Sequence, residues 1–212
     1  MYDYEKYYKY HISIGLKEED NQTYEIEHKS DRPNLYNKII NLSEYNNIVY
    51  LICDGNKLNS ISKLPIQLQI LSCCNNQLES LPELPNTLKD LDCSFNQLTS
   101  LPKLPNTLKG LNCHKNNLKL LPKLPNKLMG LCCGDNQLIS LPKLPNSLEE
   151  LNCFKNNLKL LPKLPNKLTI LYCGDNRLTY LPYIFDSINS FDELSFNNNQ
   201  FITKYRYFYT II

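Results

Sequence analysis

Nine cysteines are the residues best able to do chemistry in this chain of 212 residues. Cys53, Cys73, Cys93, Cys113, Cys133, Cys153 and Cys173 recur at a period of twenty, and Cys74 and Cys132 each stand beside one of them. Thiols in such number could bind zinc, form disulfides or act as nucleophiles. Zinc needs clustered ligands at spacings such as CxxC. Adjacent cysteines in an extended segment face opposite ways, so neither Cys73 with Cys74 nor Cys132 with Cys133 makes a site. The start, MYDYEKYYKY, has no apolar export signal, and an odd cysteine count in such a chain reads as reduced thiols. Neighbouring rungs could pair, but seven rungs cannot pair completely, and each bond needs specific geometry. The ladder is therefore expected to be buried and structural. Cys74 and Cys132 are expected to face outward as the more reactive thiols, with no evident activator. Nucleophilic catalysis also needs a base beside the nucleophile. His11 and His28 lie near the N-terminus, and His114 has only Cys132 and Asp92 near it by register. The chemistry read from these residues is that of no enzyme, with no cofactor, no metal and no small-molecule substrate.

What positions the ladder is a repeat of the form LxxLxCxxNxLxxLPxLPNx. Asn56, Asn76, Asn96, Asn116, Asn136, Asn156 and Asn176 keep step with the cysteines. Leucines keep step from Leu51 to Leu171 and from Leu58 to Leu178. The alternation in Leu111, Asn112 and Cys113 is that of a half-buried strand with Leu111 and Cys113 inward. Stacked units give a parallel sheet with strands about 4.8 Å apart. A buried asparagine amide where the chain leaves the strand can bond backbone groups of its own and neighbouring turns. The return segment LPKLP cannot be helical, because Pro122 and Pro125 remove donors and push the leucines before them out of the α region. It returns extended or polyproline-like, and twelve of the thirteen prolines lie in such segments.

This unit resembles the short, bacterial-type leucine-rich repeat of secreted effectors from pathogenic bacteria. It is also similar to repeats of giant amoebal viruses, which the Lys-, Asn-, Ile- and Tyr-rich composition suits. The resemblance covers about two thirds of the chain and implies a leucine-rich-repeat horseshoe, a solenoid with a concave parallel β-sheet that binds proteins. Cysteine stands where the family often has Val, Ile or Leu, a small apolar exchange the fold should tolerate. Some effectors of this kind carry a ubiquitin-ligase domain after the repeats. With 36 residues beyond Asn176, none is expected here. The expected organisation is an N-terminal cap over 1–44, repeats over 45–183, and a degenerate last repeat with a C-terminal cap over 184–212. In the first cap, HISIGL (11–16) and TYEIEH (23–28) read as a hairpin and NLYNKIINL (34–42) as a short helix. In the last, LSFNNNQF (194–201) repeats the unit with Phe196 for Cys and Phe201 for Leu, and the tail FITKYRYFYTII should cover the final coil.

One comparison within the chain bears on function. Residues 111–128 and 151–168 are identical except for His114 against Phe154. Both follow the inward cysteine and should point onto the concave face. Recent copying with one neutral change explains this, and so does diversification of a ligand-facing position. The residues expected to line a partner-binding concave face are Asp90, Asp92, Phe95, Asn112, His114, Lys115, Asp135, Glu150, Asn152, Phe154, Tyr172 and Asp175. Among them Phe95, Phe154 and Tyr172 are the exposed aromatics of the kind that anchor interfaces.

Net charge is +2 overall, about −3 over residues 1–45 and +5 over 46–190, a split that reads as solvated surface. Lys63, Lys103, Lys123, Lys143 and Lys163 form a column on the return side, broken by Glu83. Such a column keeps an apolar edge soluble. It could also meet a polyanion or support self-association in an assembly protein. Aromatic interleaving is missing, which argues against single-stranded nucleic acid. The expectation is a monomeric, cytoplasmic protein-binding module with no membrane span, acting in a host cytoplasm if viral, with a host protein as partner.

Overall fold

The residues flanking each inward leucine extend it into a three-residue strand, and these strands stack one coil upon the next. The computed structural model describes residues 23–25, 40–41, 48–181 and 192–201. The strands are β1 (Thr23–Glu25), β2 (Ile40–Asn41), β3 (Tyr50–Ile52), β4 (Ile61–Lys63), β5 (Ile70–Ser72), β6 (Asp90–Asp92), β7 (Gly110–Asn112), β8 (Gly130–Cys132), β9 (Glu150–Asn152), β10 (Ile170–Tyr172) and β11 (Glu193–Ser195). Nine of them form one sheet in the order β1-β3-β5-β6-β7-β8-β9-β10-β11. All its pairings are parallel, and the repeat sets the register, as in Leu91 opposite Leu111 and Leu111 opposite Leu131. The molecule is a parallel β-solenoid of about seven turns, with this sheet on its concave side. Each strand begins one residue before the leucine and ends one before the cysteine. The cysteine N–H still bonds the next strand, as Cys113 N does to Cys132 O at 2.8 Å.

Inside each coil the core is built from the same positions. Leu111, Cys113, Leu118 and Leu128 have no exposed surface. Each such leucine contributes about 1.5–3 kcal/mol by burial. On the return side the chain runs without regular structure over 121–125 and then turns, with Leu128 N donating to Pro125 O at 3.1 Å. The prolines dictate this, since they leave no donors for a second ladder.

The first coil shows the rule by breaking it. It reads ISKLP, with Ser62 where later coils have proline. There the freed backbone forms β4, which pairs in parallel with β2. This corrects the helix expected over 34–42: residues 40–41 are strand, and 34–39 lie outside the described residues. β1 likewise joins the main sheet in parallel beside β3, while its expected hairpin partner, 11–16, lies outside them. At the other end β11 pairs with β10 at an offset of 23, Leu171 opposite Leu194. Phe201 packs edge-on against Phe196 at 6.0 Å between ring centroids. Residues 202–212 and the boundaries expected at 44/45 and 183/184 lie outside the described residues.

The asparagine ladder joins coil to coil. The Asn116 amide donates to Cys93 O in the preceding coil at 3.0 Å and to Cys113 O in its own at 3.1 Å. Its Oδ1 accepts from Leu98 N, also in the preceding coil, at 2.9 Å. Asn76, Asn96, Asn136, Asn156 and Asn176 repeat the donation to the preceding cysteine carbonyl, and Asn199 does so in the degenerate coil. Asn116→Ala removes the acceptor of the Leu98 N–H and one of the two amide donors to the Cys93 carbonyl, which Asn96 also reaches at 3.2 Å. Chemical denaturation of this variant should show a loss of about 1–3 kcal/mol, and an unchanged midpoint would refute the role of the ladder.

Candidate functional site

The concave face is built from the residues either side of each inward leucine and from the two after the ladder cysteine. The residue after the cysteine has turned out of the strand, so its N–H lacks a ladder partner. Side chains supply one. Asp92 Oδ1 accepts from Ser94 N at 2.9 Å and from Ser94 Oγ at 2.6 Å. Asn112 Oδ1 accepts from His114 N at 3.1 Å, and Asn152 Oδ1 from Phe154 N at 3.3 Å. Asn112 also donates to Asp92 Oδ2 at 3.0 Å, tying two coils together. In the first coil Asp54 does this work, taking Cys74 N and the Ser72 hydroxyl, each at 2.8 Å. Burial raises the Asp54 carboxyl above its ordinary value, and these bonds draw it part of the way back.

The next residue along sits in the left-handed region. Asn75, Phe95, Lys115, Asp135, Lys155 and Asp175 all have φ between 50° and 53°. Asn and Asp adopt this conformation readily, while a bulky aromatic does so rarely. These residues form a rim in which charge alternates. Lys155 Nζ lies 3.0 Å from Asp135 Oδ1, and Asn198 donates to Asp175 at 2.8 Å. Lys115 Nζ stands 5.0 Å from the centre of the Phe95 ring.

His114 and Phe154, the two residues at which the duplicated blocks differ, are in contact. Their rings stack at 5.7 Å with 20° between planes, and Phe95 meets His114 edge-on at 5.3 Å. They lie two coils apart, and the coil between them carries Gly134. A Cβ at Gly134 would stand 2.6 Å from the Phe154 ring. The missing side chain is therefore the space into which Phe154 leans to reach His114.

This packing corrects several expectations. His114 lies on the concave side but is only 3% exposed, and Asn112 is buried with it. Cys74 and Cys132, expected to face out, are buried too. All nine thiols are buried and none is in a disulfide. Desolvation pushes Cys132, like Cys53 and Cys173, up to about 12. Thiols so protonated are poor nucleophiles. In native protein they should resist alkylation, whereas all nine should label in denaturant. A fast-labelling native thiol, located by peptide mapping, would contradict the burial. Of the remaining candidates, Phe95, Lys115 and Asp175 are exposed, and Asp90, Asp92, Asp135, Glu150, Asn152, Phe154 and Tyr172 are half-buried. Among the described residues no group of His, Cys, Asp and Glu is placed to hold a metal ion, and no helix is long and apolar enough to cross a membrane.

A family model described as leucine-rich repeats in two copies matches residues 66–106. No curated protein matches the chain. Among solved structures, YopM from Yersinia enterocolitica WA-314 is 38% identical with a TM-score of 0.71, over 74% of this chain and 34% of its own. The leucine-rich effector YopM of Yersinia pestis is 38% identical with a TM-score of 0.68, over 73% of this chain and 44% of its own. A Shigella effector LRR domain is 32% identical with a TM-score of 0.70, over 79% of this chain and 76% of its own. The chain is a leucine-rich-repeat protein. It spans less than half of each of the two YopM chains and most of the Shigella domain. Leucine-rich-repeat proteins are in general non-catalytic scaffolds for protein interaction.

Burial, the largest influence, holds the His114 imidazole below its ordinary value near 6.5, against the pull of Asp135 and a backbone bond at Gly134. The unfolded chain thus binds a proton on His114 at higher pH than the folded one. The stability of the neutral stack is present above the ordinary value and is lost as pH falls through it towards the lowered folded value. His114→Phe removes the titration and keeps an aromatic ring. Thermal melts should show the variant gaining on the wild type between about pH 7.5 and about pH 5. Parallel curves would exclude His114 as a contributor.

Proposed function

We propose that this leucine-rich-repeat protein is a non-catalytic binding module that takes a protein partner on its concave sheet. The observation that carries the reading is Phe95. It is 37% exposed and held at φ 53°, where other coils place Asn, Asp, Lys or Gly. A large aromatic there costs about 1–2 kcal/mol of backbone strain, and an aromatic kept half in water gives up part of its burial. Such a position suits an interface anchor better than a scaffold residue. Asp90, Glu150 and Tyr172 flank it along the same face and supply the varied chemistry that a specific partner needs. Similarity to the Yersinia and Shigella effectors supports a host-cell protein as that partner, met in the host cytoplasm. The likeness to giant-virus repeats rests on the unit and the composition, and in that setting too the partner is a host protein. Self-association or polyanion binding through the Lys column is the competing reading, supported by the exposure of Lys103, Lys123, Lys143 and Lys163.

Phe95→Asn tests both halves of this reading. Stability should change by less than about 1 kcal/mol, because Asn relieves the left-handed strain while the ring contacts of Phe95 with His114 and Lys115 are lost. Capture from host-cell lysate, read by mass spectrometry, should lose a protein that wild type and Lys103→Glu both retain. If every captured protein survives Phe95→Asn combined with Glu150→Lys and Tyr172→Ser, the concave reading fails. Capture lost only with Lys103→Glu, or size that grows with concentration, would favour the competing one.

A further inference from the structure

A second surface lies on the flank where each coil leaves the sheet and enters its return segment. Four large apolar side chains stand there at successive coils: Leu120 at 57% exposure, Ile139 at 61%, Leu160 at 48% and Tyr180 at 42%. The equivalent positions of the two earlier coils hold Glu79, Ser80, Thr99 and Ser100. The apolar stripe is therefore confined to the C-terminal half of the array. A few residues further along each coil run Lys123, Lys143 and Lys163, all exposed, in a column that Lys103 and Lys63 continue and Glu83 interrupts. Lys119 and Lys159 stand immediately before Leu120 and Leu160. An apolar row and a basic row thus lie side by side over the coils from Leu120 to Tyr180; the basic row runs on through Lys103 and Lys63, but only here does it have apolar neighbours.

We propose that this flank docks an acidic amphipathic helix of another protein, laid along the solenoid axis. The spacing selects a helix. Successive coils are about 4.8 Å apart, close to the 5.4 Å of one helical turn, so apolar residues at i, i+4, i+7 and i+11 meet Leu120, Ile139, Leu160 and Tyr180 in turn. In an extended strand, side chains on one face repeat at about 6.8 Å and fall out of step by the second coil. Charge selects an acidic partner, because carboxylates beside the apolar row of the helix lie over the lysine row. The chain's own segment 202–212 carries Lys204 and Arg206 and no acid, so it has the wrong charge for this seat. The surface is separate from the concave face and stands or falls independently of it.

The test uses full-length protein and a fluorescein-labelled helical probe with leucines at i, i+4, i+7 and i+11, glutamates beside them and alanines behind. Fluorescence anisotropy should show saturable binding. Affinity should fall about tenfold or more in Leu120→Ser/Ile139→Ser/Leu160→Ser, and separately in Lys123→Glu/Lys143→Glu/Lys163→Glu. Both variants change only exposed side chains and should melt like the wild type. Phe95→Asn should bind the probe unchanged. A probe with serines for leucines that binds equally well makes the flank a plain polyanion site and overturns the proposal. So does equal binding of a probe with lysines for glutamates, sedimentation with phosphatidylserine vesicles that the Leu→Ser variant keeps, failure of either variant to weaken binding, or no binding at all.

Discussion

From Asn76 to Asn199 each asparagine of the ladder bonds backward, to a carbonyl and an N–H that belong to the coil before its own. Asn116 shares Cys93 O with Asn96 and is the acceptor for Leu98 N, a donor that would otherwise be unmet at the turn. An unmet group of this kind costs about 1–3 kcal/mol. The amide offers a donor and an acceptor on one rigid plane, so it can satisfy both while the chain bends out of the strand. The parallel sheet, the leucine core and the proline return segments all presuppose that bend. No coil is complete alone, because its turn is finished by the next coil's asparagine. The degenerate last coil keeps Asn199 in this role although Phe196 and Phe201 have replaced its Cys and Leu. That order of retention fits a core that tolerates apolar exchange and a turn that does not tolerate an unpaired amide.

The concave face depends on the same economy of backbone groups. Asp92, Asn112 and Asn152 look like candidate ligands in a sequence, yet each spends an oxygen on the N–H of the residue two places on. Their types are set in part by the strand end, which leaves a donor there in every coil. The side chains left to meet a partner are those set by nothing in the scaffold. Phe95 stands out among them because the backbone would be better served by a smaller residue. The flank stripe from Leu120 to Tyr180 is another such departure. Neither departure is repeated in every coil, whereas the scaffold residues are.

Much of this was legible before any coordinates. The period, the inward pair, the extended return and the asparagine position all follow from residue types that recur from coil to coil, with Ser62 in the first coil and Phe196 and Phe201 in the last as the departures. Depth on the concave face was not legible. Alternation places His114 on that side, but whether water reaches it depends on Phe154 two coils away and on the empty slot at Gly134. Outward-facing Cys74 and Cys132 failed for the same reason, since alternation gives a direction and neighbours decide cover. The left-handed turn was hidden because Lys115, Lys155 and Phe95 mask a position that Asn75, Asp135, Asp175 and Gly55 would have betrayed. The segment 34–42 misled because Ile40 and Asn41 answer to β4, a strand that exists only where Ser62 replaces a proline.

The slot at Gly134 gives the molecule two different repeat lengths. Its interior repeats every coil, but from His114 to Asp175 the two residues after the ladder cysteine repeat every second coil: His114 and Phe154 occupy alternate coils, and Gly134 and Gly174 the coils between and after. Lysine and aspartate alternate along the rim in the same rhythm, from Lys115 to Asp175. Excising one coil would leave every core contact type and every amide stitch available to the shortened chain. It would also carry Phe154 into the place Gly134 now holds, hard against His114, and would set like charges beside each other on the rim. The core can count in ones, but between His114 and Asp175 the face grows or shrinks without penalty only in pairs of coils.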